Sequence, residues 1–138
     1  MKIRIVIAIL SVLGVLIASC QNEQSLEFKR YYTSGSLVYQ SHCQNCHGVQ
    51  GEGLKGLIPP LTDSIFMRSN LSRLPCIIKN GLKGQIDVNH RSFEGEMAKI
   101  DLNPMELAQV ITYINNSFGN QLGQTGYEEV IANLAKCK

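Results

Sequence analysis

Two cysteines separated by two residues, with a histidine directly after the second, constrain this chain more than any other feature: Cys43-Gln44-Asn45-Cys46-His47. Three chemistries use such a pair. A zinc site needs four ligands at structural spacing, and neither a second C-x-x-C nor an H-x-x-x-H pair accompanies this one. A dithiol redox centre of the thioredoxin kind sits in a βαβ context, which the rest of the chain does not offer. Covalent attachment of a haem asks for what is present. Each thiol can add across one vinyl group, the two-residue spacer matches the reach between the vinyls, and His47 can offer an imidazole nitrogen to the iron. Read this way, the five residues specify one haem c, its tether and one axial ligand.

The N-terminus points out of the cytoplasm. Met1-Lys2-Ile3-Arg4 is a short positive segment, and the apolar run Ile5 to Ala18 that follows falls short of the roughly 20 residues a comfortable spanning helix needs. It ends at Ile17-Ala18-Ser19-Cys20, which resembles a bacterial lipobox, so the expectation is a signal peptide over 1–19 and a lipidated Cys20. The other reading is an ordinary signal cut near Ser19 that leaves a free thiol. Removing Lys2 and Arg4 leaves 11 of the 13 basic residues against 11 acidic ones. A nearly neutral mature chain lacks the clustered basic face that a nucleic-acid partner would demand.

Residues 20–35 are polar with little periodicity and read as a flexible tether. The remainder, 36–138, is enough for one domain, with a core over 36–118 and a C-terminal extension over 119–138. Leu37, Val38 and Tyr39 open a short helix that runs into Cys43. Gly48, Gly51, Gly53 and Gly56 require a loop. Leu71, Leu74, Ile77 and Ile78 recur at helical spacing and stop at Asn80-Gly81, with Pro75 in the first turn and a cap near Ser72. Asn103, Pro104 and Glu106 make a capping-box start for a helix whose apolar stripe is Leu107, Val110, Ile111, Ile114 and Phe118, with Gly119 past its end. Thr125 and Glu128 are a second possible capping pair, ahead of Val130, Ile131 and Leu134. No segment reads as a strand, so the expected class is all-α with long loops.

These residues together resemble the class I c-type cytochromes, in particular the small bacterial mono-haem domains. The resemblance covers about residues 36–132 and rests on Cys43 to Gly48, Gly51-Glu52-Gly53, Pro59-Pro60-Leu61, Ile78 to Gly84 and Tyr113 to Asn120. It implies a cytochrome c fold of three to five short helices wrapped around the haem, with the first and last core helices crossing through an aromatic contact, for which Tyr39 and Tyr113 are the candidates. It also implies a sixth ligand in the loop before the C-terminal core helix, where Met97 stands. Ala98 follows it where many relatives have proline. Met67 lies too early, Met105 falls in the first turn of a helix, and His90 sits in a turn where a solvated side chain is expected, as it is for His42. The resemblance further points to the carbonyl of Pro59 or Pro60 as the acceptor that orients His47.

Cys20, Cys43 and Cys46 account for three of five cysteines. Cys76 and Cys137 remain, an even pair in an oxidising compartment, which invites a disulfide; two free thiols or a bond to another chain are the alternatives. The function implied is a one-electron carrier lipid-anchored on the periplasmic side of a bacterial membrane. It would serve an oxidase, reductase or dehydrogenase and not itself be an enzyme. A haem-based sensor or peroxidase-like domain with a labile sixth ligand is the alternative.

Overall fold

In the computed structural model the chain is described over residues 2–137. The side chains of residues 2, 8, 12 and 14–22 lie outside the described set, and with them the expected cleavage near Ser19 and lipidation at Cys20. Two compact units divide the chain, one through Arg30 and one from Tyr31 onward. Helix α1, Lys2–His42, supplies the described residues of the first. Among the described residues, no helix is long and apolar enough to cross a membrane.

The second unit begins earlier than the expected boundary at Ser36. Tyr31 is buried in its core, Gly35 and Tyr39 follow at four-residue steps, and Tyr32 stacks on Tyr113 with ring centroids 5.1 Å apart. Tyr31, Gly35 and Tyr39 thus form one stripe of a helix, and residues 31–35 belong to the domain and not to a tether.

After α1 come α2 (Gln44–His47), α3 (Ser64–Ser69), a 3-10 turn (Leu71–Arg73), α4 (Leu74–Asn80), β1 (Leu82–Val88), β2 (Arg91–Met97), α5 (Pro104–Asn115) and α6 (Tyr127–Leu134). Helix α5 is the core element. Asn103 accepts from the amides of Met105 and Glu106 at 2.9 and 3.0 Å while Glu106 accepts from the Asn103 amide at 2.9 Å, so the capping box is complete. Leu107, Ala108, Val110 and Ile111 are fully buried. The helix ends at Asn115, short of Phe118, because the Asn116 amide group turns to the carbonyls of Thr112 and Gly123 at 2.7 and 2.8 Å.

Helices α4 and α6 pack on α5 and on each other. Pro75 does fall in the first turn of α4, and the N-cap is Arg73, next to Ser72 and reached through the 3-10 turn, with no side-chain cap bond. Thr125 is not the cap of α6. Its hydroxyl accepts from Asn115 at 3.3 Å and its amide donates to Thr112 at 3.0 Å, leaving Gly126 as the N-cap. A disulfide joins Cys76 on α4 to Cys137 just beyond α6, across 61 residues.

The fold is predominantly helical, and the expectation of an all-α chain is corrected by one antiparallel hairpin. β1 pairs with β2 from Leu82↔Met97 to Val88↔Arg91 around the two-residue turn Asn89-His90, whose φ values of 50° and 58° are those of a type I′ turn. Leu82, Gly84, Ile86 and Val88 on β1 and Phe93, Gly95 and Met97 on β2 share one face by period-2 alternation. Lys83 and Glu96 form an exposed 2.9 Å ion pair at the opposite face, where it adds little.

Candidate haem-binding site

Helix α1 leads directly into the C-x-x-C-H segment. The Cys43 amide still donates to the Tyr39 carbonyl at 2.9 Å, and the His47 amide donates to Cys43 at 2.9 Å. One further helical turn therefore carries Cys43 and Cys46 to the same side. Neither is part of a disulfide, and Cys43 is buried while Cys46 is exposed. Burial, with the neighbouring Cys46 thiol, pushes the Cys43 thiol up to about 11, so it is protonated at neutral pH.

His47 is half-buried, and its Nδ1 lies 3.2 Å from the Pro59 carbonyl oxygen. A carbonyl only accepts, so Nδ1 carries the proton and Nε2 keeps its lone pair. Burial lowers the His47 pKa, partly offset by that hydrogen bond, which leaves the imidazole neutral, the form a metal ion requires. The acceptor is Pro59; Pro60 is the half-buried residue beside it. The Gly53 amide donates back to the His47 carbonyl at 2.8 Å and the Leu61 amide to Gly51 at 2.8 Å, so the glycine-rich loop is folded onto the motif.

A cleft of about 290 Å³ opens beside these residues. Cys43, Cys46 and His47 line one side, with His42 at the end of α1; Leu57, Ile58 and Pro59 come from the loop; and Ile86, Phe93 and Met97 come from the hairpin. Met97 is the last residue of β2 and half-buried. Met67, Met105 and His90 do not line the cleft. Met67 is in the core, Met105 is exposed on α5, and His90 is exposed in the hairpin turn. Two thiols, a neutral imidazole and a thioether around a largely apolar slot are a donor set that fits a flat, apolar, iron-bearing ring held through two carbon–sulfur bonds.

The aromatic contact expected between the core helices is present. Tyr39 and Tyr113 have centroids 5.4 Å apart, and Phe118 joins both at 5.2 and 5.7 Å. The Tyr39 hydroxyl donates to the Gly48 carbonyl at 2.7 Å, which ties this cluster to the residue after His47. Burial is the first cause that raises the Tyr39 pKa, so the phenol stays a donor.

Sequence reasoning passes over the hairpin wall. Leu82, Ile86 and Phe93 line the cleft from strands that the pattern of residues does not announce. The alternation Leu82, Gly84, Ile86, Val88 is available as a signal, but Gly84 interrupts its apolar character.

A short helical turn that presents two thiols and a carbonyl-held imidazole to one apolar cleft defines a c-type haem protein. A family profile for cytochrome c matches residues 32–118, and the chain belongs to that family. Two relatives called cytochrome c-552, one from Thermus thermophilus and one from a particular strain of that species, are each 27% identical to it over 107 residues. The match spans 74% of this chain and 81% and 72% of theirs. The family binds haem c covalently, and Cys43 to His47 fits its C-x-x-C-H attachment motif. Its members carry electrons between redox proteins.

Proposed function

We propose that this chain is an exported one-electron carrier that ligates its haem iron through His47 and Met97 and is held at the periplasmic face of a bacterial membrane by lipid on Cys20. The observation that carries the reading is that His47, Met97 and both thiols line one cleft. The haem iron supplies the one-electron couple when bound. Cys43 and Cys46 would hold the haem covalently, each thiol adding across one vinyl group with no leaving group. Pro59 holds the His47 ring with Nε2 free to bind. Met97 offers a soft thioether, a ligand that raises the reduction potential. Leu57, Ile86 and Phe93, which line the cleft, would exclude water from the bound group. Residues after Cys20 up to Arg30 would act as the spacer between lipid and domain, raising the concentration of the carrier near a membrane-bound oxidase, reductase or dehydrogenase.

The test is the ferric absorption spectrum of the Met97→Ala and Met105→Ala variants. Met97→Ala is expected to lose the weak red band of an iron–thioether bond and to fall in potential, with Met105→Ala unchanged. The opposite pattern would overturn the ligand assignment.

A further inference from the structure

An isolated two-stranded hairpin is marginal in water, and β1–β2 pairs with no third strand among the described residues. Its position over the cleft therefore depends on what fastens it. The base is held by close packing. A Cβ on Gly81 would come 2.5 Å from the Met97 carbonyl oxygen and 3.0 Å from the Lys99 amide, and the residue has φ +81°, so only glycine lets the start of β1 lie against the end of β2. Lys79 reinforces the following segment through Asp101 at 2.7 Å and the Leu102 carbonyl at 3.2 Å.

At the far end, besides the buried Val88 and Phe93, one carboxylate reaches the turn. Asp63 Oδ1 accepts from the amides of Ile65 and Phe66 at 3.0 and 3.1 Å, capping α3. Its other oxygen, Oδ2, accepts from the backbone amide of Asn89 at 2.8 Å, 26 residues on and in the hairpin turn itself. The two oxygens thus join two elements. A helix cap needs only the bonds to Oδ1. The second is charge-assisted, the stronger kind of hydrogen bond, and it reaches the turn that closes β1 onto β2.

We propose that Asp63 is a positioning residue for the wall beside the sixth ligand: a latch that fastens the tip of the hairpin so that Ile86 and Phe93 stay over the cleft next to Met97, which the packed base already holds. This rests on the reading of Met97 as ligand. Releasing the tip leaves the hairpin hinged at Gly81, with Val88 and Phe93, both buried, as its remaining hold near the turn. The open state frees the cleft for an outside ligand.

Asp63→Asn separates the latch from the cap. The amide oxygen can still accept from Ile65 and Phe66, but –NH2 replaces Oδ2 and confronts the Asn89 N–H with a donor. In the haem-loaded full chain, amide hydrogen exchange over 82–97 is expected to quicken roughly tenfold while α3 stays as protected as in the parent. Displacement of the native sixth ligand by imidazole in the ferric protein is expected to quicken by a similar factor. Equal exchange and equal displacement in parent and variant would overturn the proposal, as would loosening confined to α3. If Asp63→Asn does not hold haem, Asp63→Ser gives the same comparison, since its short hydroxyl can cap α3 but not reach Asn89. Met97→Ala in the same assays separates the two readings. If it leaves imidazole binding as it is in the parent, the ligand assignment fails, and hairpin exchange alone still decides the latch.

Discussion

Replacing Gly35 by alanine sets two opposed effects of known size against each other. On propensity alone Gly35→Ala should stabilise α1 by about 1 kcal/mol, because glycine is costly inside a helix. The structure predicts the reverse sign. A Cβ at this position would overlap the Gln109 carbonyl oxygen of α5 and lie 2.6 Å from its carbonyl carbon and 2.9 Å from Tyr113 Cβ, closer than real Cβ atoms approach. The obstacle is backbone on a buried helix and cannot rotate away. Forcing added volume into a packed contact costs about 1–3 kcal/mol, and a backbone clash belongs at the upper end. Moving α5 off α1 would also stretch the Tyr32–Tyr113 and Tyr39–Tyr113 contacts. Subtracting the propensity gain leaves a net loss of about 2 kcal/mol. With an unfolding entropy of about 2.1 cal/mol/K per residue, a domain of this size should lose roughly 10 °C in Tm. Thermal unfolding of the haem-loaded chain by circular dichroism reads this, with Thr33→Ala on the exposed side of the same helix as a control expected to lose nothing. A Gly35→Ala variant as stable as the parent, or more so, would refute the close crossing of α1 and α5.

Two further outcomes follow from the disulfide and from the hairpin latch. The Cys76→Ser/Cys137→Ser double variant removes a closure of 61 residues, for which the chain-entropy account gives about 4 kcal/mol, or roughly 15–20 °C in Tm. Because Val130 remains buried on α6, the helical signal at low temperature should be unchanged, and a Tm within a few degrees of the parent would contradict a stabilising role. For Asp63, slight burial raises the carboxyl pKa, but the amides of Asn89, Phe66 and Ile65, with the charge of His90, bring it below the ordinary 3.8. The stabilisation is therefore complete above that value and lost as the pH falls through the lower folded one. Hairpin hydrogen exchange in parent and Asp63→Asn should differ near neutrality and converge in acid, and a difference that persists at the lowest pH would speak against the carboxylate.

Much of the site is legible from residue identity because haem attachment needs particular atoms at fixed spacing, and Cys43, Cys46 and His47 cannot be exchanged for others. The same holds for the α5 capping box, where Asn103, Pro104 and Glu106 each answer a backbone requirement of the helix start. The hairpin is a different case. Its strands bury one face against the cleft, and Gly84 and Gly95 occupy that face, so the alternation loses much of its apolar character. The start of the domain escapes the sequence for a related reason: Tyr31, Gly35 and Tyr39 form a stripe only when Gly35 is counted as a contact surface. Local pattern assigns Thr125 to a helix cap, but its partners Thr112 and Asn115 lie on another helix, which no local pattern contains. Asp63 carries no comparable signal, because half of its role is a contact 26 residues away.

The most direct measurement of the central claim is the spectrum of the purified ferric protein, taken before and after acid-acetone extraction. Haem that stays with the polypeptide after extraction, together with a weak red thioether band beforehand that Met97→Ala abolishes, is the predicted result. Haem that partitions into the solvent, or a parent protein without that band that binds carbon monoxide readily at neutral pH when reduced, would contradict a covalently held, six-coordinate electron carrier.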